Sequence, residues 1–599
     1  MGGRREFVES GVATEVELKM KALVLAACVV GVIPVWAMAQ QTVTINPGVR
    51  HQSVAGWGTF LGATDTATRT AYRDLGMNIM RMSIEKNTLT ASSSDWRIRV
   101  PLGTDLNANV AKFNMNVSPV SNFGSTAQWM NQNTLEPSRF KLIADGWSPP
   151  HWMKGPTGST QQWVGNPSSN SPARQTPWLS NEYNNWYNAP GGGHFLNHTG
   201  DSIGGRLRTE DATNLAEYGR YFAGYVKAFE NRYGVKIDNI SLQNESGFEN
   251  PFDSMTFLST ATGGYDAGQY AAALKSVRTA FTQQGITTKV RGPHYANLQA
   301  NPSSPWGLLH QMNMINGVKN DSDPTLKDFM WAYTSNYYND TSEGSVKNTA
   351  AYWRGTANVP GPWANWAATG SIGGDGKENW FVETGDGPAT WLNGPNNTPG
   401  NGAISVALKM HNALVHANAS AYLYWSFVDG AGSPTEHGLL GSGQQSNPMS
   451  SKKYAAFKQF SRFIRPGARR INATFGNGLT SVGGASEYDT LSSVNVSAYY
   501  HDEDRMLTLV LLNLESTSQS VTLNIPADLG VAQMDVYRTS GTENFVTLAD
   551  VFPLAGAPTI TLPAYSVVTL TGRAFTVIPE PSGLGVIGVV GLALVRRRG

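Results

Sequence analysis

Two glutamates stand where the sequence could do chemistry. Glu245 closes the run Ile240-Ser241-Leu242-Gln243-Asn244-Glu245, and Glu383 lies in Trp380-Phe381-Val382-Glu383-Thr384-Gly385. Each comes at the end of an apolar, strand-like stretch, and they are about 138 residues apart. Hydrolysis of a glycosidic bond without a metal needs two carboxyl groups. One protonates the leaving oxygen, and the other attacks the anomeric carbon or activates water. A lone strand-end glutamate is usually a solvated loop residue, so the neighbours decide. The Asn244 amide can bond a substrate 2-hydroxyl, and Gly385 lets the backbone turn away from Glu383. Of the competing acids, Glu378 precedes its strand and belongs at the opposite end, while Asp386 is placed only to serve a subsite. No H-E-x-x-H spacing occurs among the ten histidines, so a metallohydrolase is disfavoured and no cofactor or metal is expected.

Positioning two such acids requires strands that deliver them to one place. Apolar windows recur at Val54 to Phe60, Ile79 to Ile84, Phe140 to Ala144, Val235 to Leu242, Lys289 to Gly292, Phe329 to Tyr333, Trp380 to Val382 and Ala421 to Trp425. Between them lie amphipathic stretches. The clearest has Leu215, Tyr218, Phe222, Val226, Phe229 and Tyr233 at three- and four-residue steps, with Gly234 as its stop. Eight strands alternating with helices predict an α/β chain folded as a (β/α)8 TIM barrel over residues 53–465, with its active site on the loops after the strands. Glu245 and Glu383 then follow strands four and seven. After Pro466 the pattern becomes short Val-, Leu- and Thr-rich runs at Val494 to Val496, Leu507 to Val510, Val521 to Leu523 and Val567 to Thr569. These predict an attached antiparallel β-sandwich domain over 466–573, packed directly on the barrel.

Composition narrows the partners. A net charge of +1 gives no electrostatic reason to bind nucleic acid. The 17 Trp and 22 Tyr, carried with 63 Gly, suit loops that stack rings on sugars, although any single Trp is more often core. Met20-Lys21, an apolar run from Ala22 to Trp36 and Ala37-Met38-Ala39 read as a signal peptide over 1–39, cleaved after Ala39. Glu6, Glu9, Glu15 and Glu17 do not suit a leader, which makes Met20 an alternative start. Leu25-Ala26-Ala27-Cys28 offers a competing lipobox, but the apolar run before it is short. Cleavage at Ala39 removes the single cysteine, so the mature chain would have no disulfide and no thiol. At the other end, Ile578-Pro579-Glu580-Pro581, an apolar run to Val595 and Arg596-Arg597-Arg598 resemble a PEP-CTERM sorting tail over 574–599. The run is short of the roughly 20 residues a spanning helix needs. The expectation is export to the outer envelope or exterior of a Gram-negative bacterium. Its partners would be export and sorting machinery, and the mature protein would not span the membrane unless the tail is retained.

Several stretches resemble glycoside hydrolase family 30, of the clan of (β/α)8 retaining glycosidases. They are Gln52-Ser53-Val54-Ala55-Gly56-Trp57-Gly58, Leu75-Gly76-Met77-Asn78-Ile79-Met80-Arg81, Trp147-Ser148-Pro149-Pro150-His151-Trp152-Met153-Lys154, and Phe460-Ser461-Arg462-Phe463-Ile464-Arg465-Pro466-Gly467. The resemblance spans roughly residues 42–573. It implies that Glu245 is the general acid/base and Glu383 the nucleophile, with carboxyl groups about 5–5.5 Å apart and net retention. Arg81 and Asn244 would lie near the nucleophile and the 2-hydroxyl. Trp425 would floor the subsite of the attacked sugar, with Trp57, Trp147, Trp152 and Tyr338 also lining the substrate site. A strand within 40–52 would join the sandwich. One departure stands out: such barrels end strand six with His-x-Tyr, and the counterpart here is Asn336-Tyr337-Tyr338. Asn336 cannot titrate, leaving His294 and His151 as candidates to compensate. The implied substrate is a β-linked polysaccharide of xylan or β-1,6-galactan or glucan type. Rival readings are a non-catalytic carbohydrate-binding protein and an envelope surface protein on the same fold.

Overall fold

The computed structural model describes residues 41–85, 88–89, 100–150, 153–155, 206–246, 255–257, 267–294, 308–337, 355–356, 359–360, 376–385, 389–392, 402–435, 437–483 and 494–575. The expected leader, the sorting tail from residue 576 onward, and His151, Trp152, Tyr338 and Asp386 lie outside these residues. Among the described residues no helix is long and apolar enough to cross a membrane.

Eight parallel strands close into a barrel. In order they are Gly56–Phe60, Ile79–Ile84, Lys141–Gly146, Asn239–Ser241, Lys289–Arg291, Met330–Tyr337, Glu378–Thr384 and Ala421–Ala431. Each pairs with the next in sequence, and the eighth pairs back onto the first. All eight coincide with the apolar windows read from the sequence. The match follows from burial on both faces, which makes parallel strands apolar along their length; all six residues of Ile79–Ile84 are buried. Alternate side chains of such strands point inward. Ile79, Ile143, Ala332, Trp380, Val382, Ala421 and Leu423 form an apolar plug. The Trp380 indole donates to Glu378 at 2.7 Å, which ties Glu378 to the start of its strand, away from Glu383.

Helices cover the outside. The periodic stretch forms Ala212–Tyr233, with Asp211 accepting from the amides of Thr213 (2.9 Å) and Asn214 (3.1 Å) at its N-cap, and Gly234 in the left-handed region (φ 66°) at its end. Gly219 lets the neighbouring helix Ala267–Gln283 approach closely, since a Cβ there would meet the Ser276 carbonyl oxygen at 2.4 Å.

The second domain is a ten-stranded sheet, mostly antiparallel, around its own apolar core, which includes Val43, Ile471, Val496, Leu509, Leu523 and Leu570. The four runs read after Pro466 lie in strands Val494–His501, Met506–Asn513, Gln519–Asn524 and Ser566–Arg573. The sheet is mixed rather than purely antiparallel. Strand Gln41–Ser53 pairs antiparallel with Arg469–Phe475 but parallel with Gln519–Asn524. Helix Lys452–Ser461 bridges the domains: Gln459 donates to Thr539 at 2.8 Å, and Thr569 donates to the Gln459 carbonyl at 2.7 Å.

Where helix Ile404–Val415 meets this sheet, histidines cluster beside an arginine. His411 and His416 lie 5.9 Å apart by ring centroid, near Arg470 and His51. Burial first, then the Arg470 charge, pushes His51 and His416 down to about 4; burial also depresses His411. Tyr499 is the titratable group facing Arg470. Between pH 6.5 and 4 the unfolded chain therefore takes up protons that the native state refuses, so stability present above pH 6.5 is lost on acidification. Urea unfolding should show a midpoint that falls from pH 7 to pH 5, with a shallower fall in a His411→Gln/His416→Gln double variant. An unchanged slope in that variant would exclude these histidines as the cause.

Candidate active site

The period-two rule that directs Ile79 into the barrel also directs Arg81 inward, one step nearer the C-terminal mouth. Arg81 is fully buried and uses three of its nitrogens. Its Nε donates to Asp145, its Nη1 to Glu383, and its Nη2 to Asn244 Oδ1 at 2.7 Å. Asp145 comes from strand three by the same alternation from Ile143, and it also accepts from Arg291 of strand five. Arg291 in turn donates to His294 Nε2 at 2.7 Å. Strands two, three, four, five and seven, with the turns that follow them, thus meet at one ion network.

Charge balance explains the protonation states. Burial alone would raise Asp145, but Arg291 and Arg81 outweigh it and hold its carboxyl below the usual range. For Arg81, burial is overcome by Asp145 and Glu383, which keep it firmly cationic. Burial brings Arg291 down to about 10 and depresses His294 far below its ordinary value, consistent with a neutral ring accepting from Arg291.

Glu245 has no place in an ion pair among the described residues. The segment after strand four is pinned by Asn244 N–H to Gly146 (2.9 Å) and Ser246 N–H to His294 (2.9 Å), and Glu245 turns with φ 53° between them. That left-handed conformation costs a non-glycine residue about 1–2 kcal/mol. Burial first, and the Glu383 charge second, push the Glu245 carboxyl up to about 8. Asn336 of strand six donates through Nδ2 to both Asn244 Oδ1 and Glu245 Oε1, each at 3.2 Å.

Rings border the network. Trp147 and Trp425 lie over the Arg81 guanidinium at 4.8 and 5.5 Å, and Phe60 packs on Trp425 at 4.8 Å and on Trp147 at 5.7 Å. The expected residues Arg81, Asn244, Glu245, Glu383, Trp147 and Trp425 are therefore brought together. Trp57 is not. It points away from the mouth, fully buried against Phe457, with its indole donating to the Ile464 carbonyl at 2.7 Å. Its strand places Trp57 and Phe60 in opposite phases, so Phe60 takes the position near the site. His294 does reach the site, as a partner of Arg291. Asp145, Arg291 and Phe60 also reach the site; for Asp145 the sequence signal is a charged residue two places after the apolar Ile143 within one strand, and Arg291, preceded at that step by Lys289, has no such signal.

Architecture defines the class first: a closed (β/α)8 barrel with an appended antiparallel-rich sheet and two acids at the C-terminal ends of strands four and seven. No family model matches the chain. A glucuronoxylanase of Bacillus subtilis is 24% identical over 377 residues, covering 62% of this chain and 69% of that protein. A GH30 endoxylanase from Clostridium papyrosolvens aligns with a TM-score of 0.56 at 20% identity, over 89% of this chain and 100% of that one. An endo-β-1,6-glucanase aligns with a TM-score of 0.53 at 15% identity, over 89% and 94%. The structural likenesses establish a shared barrel-and-sheet fold.

Arg81→Met should destabilise the fold by about 3–5 kcal/mol, because it leaves buried carboxylates uncompensated. Guanidinium denaturation checks this, and a loss of less than about 1 kcal/mol would mean that the ion network does not hold the barrel interior together.

Proposed function

We propose that this chain is an exported retaining endo-glycoside hydrolase of family 30 that cleaves a β-linked polysaccharide. The observation that carries the reading is the unequal setting of two neighbouring acids: Glu383 is ion-paired with Arg81, while Glu245 has no ion pair among the described residues and is pushed up to about 8. Pairs of carboxyls held apart in this way divide into nucleophile and acid. Glu383 attacks the anomeric carbon as Glu245 gives its proton to the leaving oxygen. The glycosyl–Glu383 ester then forms, and Glu245, now ionised, takes a proton from the water that releases the sugar. Asn244, its Oδ1 fixed by Arg81, is placed to offer its NH2 to the 2-hydroxyl. Trp425 and Trp147 supply apolar faces for the ring. Support for the family comes from the four sequence stretches, the glucuronoxylanase relative and the shared fold. The segment Asp429 to Gly441 carries Asp429 and Glu436 but no Lys or Arg, so it offers no counter-charge to a uronate. A neutral main chain of xylan or β-1,6-glucan or galactan type suits it better.

Glu383→Gln should abolish turnover on a panel of these polysaccharides in protein that still unfolds in one cooperative thermal transition, shifted downward because Arg81 loses a counter-charge, and wild type should release the first product with retained anomeric configuration. Near-normal activity in Glu383→Gln would place the nucleophile elsewhere, whereas binding without turnover in wild type would favour the carbohydrate-binding alternative.

Since Glu245 must be protonated for the first step, kcat/KM should be steady below its pKa and fall as pH rises through about 8. In Glu245→Gln the alkaline limb should vanish for an activated aryl glycoside, and added azide should restore turnover. A limb that persists unchanged would assign the acid to another group.

A further inference from the structure

We infer that Asn336 is a positioning residue that decides which oxygen of Glu245 carries the catalytic proton. The inference rests on the glycosidase reading for its kinetic meaning and on hydrogen-bond direction for its content. Arg81 can only donate, so the atom facing its Nη2 at 2.7 Å must be the Asn244 carbonyl oxygen. That fixes the Asn244 amide. A second group at 3.2 Å from the same oxygen must also be a donor, so Asn336 presents Nδ2 and not Oδ1. The other hydrogen of that NH2 points to Glu245 Oε1 at 3.2 Å, and Oε1 must accept it. A carboxylic O–H oxygen accepts poorly, so the proton of Glu245 sits on Oε2. The orientation of the acid is thus imposed by the fixed charge of Arg81, relayed through two amides.

An amide suits this post better than a titrating side chain. Charged and titratable groups facing Glu245 are Glu383 and Arg81, and through Arg81 the set Asp145, Arg291 and His294. Asn336 adds no charge to them and cannot reverse its polarity with pH. Its Oδ1 is buried without a partner among the described residues, so the side chain is held through Nδ2. When Glu245 ionises, the same N–H stabilises the carboxylate that must act as base in the second step.

The test combines a readout that needs no substrate with one that does. Carbon-13 NMR of protein labelled at glutamate carboxyls, with the Glu245 signal assigned by its loss in Glu245→Gln, should show its titration moving upward by at least about one pH unit in Asn336→Asp, where an anion replaces the donor. Asn336→Ala should move it upward by less. Kinetics would use 4-nitrophenyl and 2,4-dinitrophenyl β-xylobiosides. Asn336→Ala should slow glycosylation by the 4-nitrophenyl compound about tenfold more than by the dinitrophenyl compound, whose departure needs little proton donation. An unmoved Glu245 titration in both variants, or equal loss on both glycosides, would overturn the positioning role. If wild type turned over neither glycoside nor any polysaccharide of the panel, the glycosidase reading would fail, and the titration would still judge Asn336.

Discussion

A buried arginine with no water to solvate it must find its counter-charges inside the protein, and that requirement organises this barrel. Removing Arg81 from water costs several kcal/mol unless its charge and its N–H groups are matched. Asp145, Glu383 and Asn244 match them from strands three and seven and from the turn after strand four. Each of those partners is then oriented by the demand. Arg291 takes up the second oxygen of Asp145, so two cations and two carboxylates balance within the interior. Glu245 falls outside that balance, and its burial, with the Glu383 charge second, favours the proton it holds.

The barrel makes this possible by supplying a rigid floor. The plug centred on Trp380, Val382 and Leu423 fills the interior below the ion network, and the Trp331–Trp380 edge contact at 4.9 Å packs its lower part. Above it, Phe60, Trp147 and Trp425 border the guanidinium face and lower the polarity around it. A polar network between an apolar floor and aromatic walls feels stronger electrostatics than one in solvent. The left-handed turn at Glu245 is held by backbone bonds on either side of it, from Asn244 to strand three and from Ser246 to the turn after strand five.

The appended sheet acts on the site only at a distance. Its strand Gln41–Ser53 runs straight into the first barrel strand, and helix Lys452–Ser461 hydrogen-bonds to both domains. Trp57 belongs to this seam. Its indole bond to Ile464 joins the first barrel strand to the segment that leads into the sheet. A tryptophan between two glycines thus serves the junction of the domains, whereas its neighbour Phe60 borders the site.

By itself the sequence determined the eight barrel strands, the helical stretch from Leu215 to its stop at Gly234, the change to a sheet after Pro466, and the placement of Glu245, Glu383 and Asn244 where apolar strands end, with Arg81 on the second strand. All of these follow from local pattern: apolar runs that must be buried on both faces, a helical period closed by a glycine, and polar residues where apolar runs stop. Tertiary structure alone decided the partners. Asp145 and Arg291 lie within strands as single charged residues, and nothing local says that they face each other across strand four. Trp57 and Phe60 differ only in phase, which depends on where the strand begins its pairing. The direction of each amide, from Arg81 through Asn244 to Asn336 and Glu245, depends on which donors meet which acceptors once the barrel has closed, and that is a property of the closed ring rather than of any one strand.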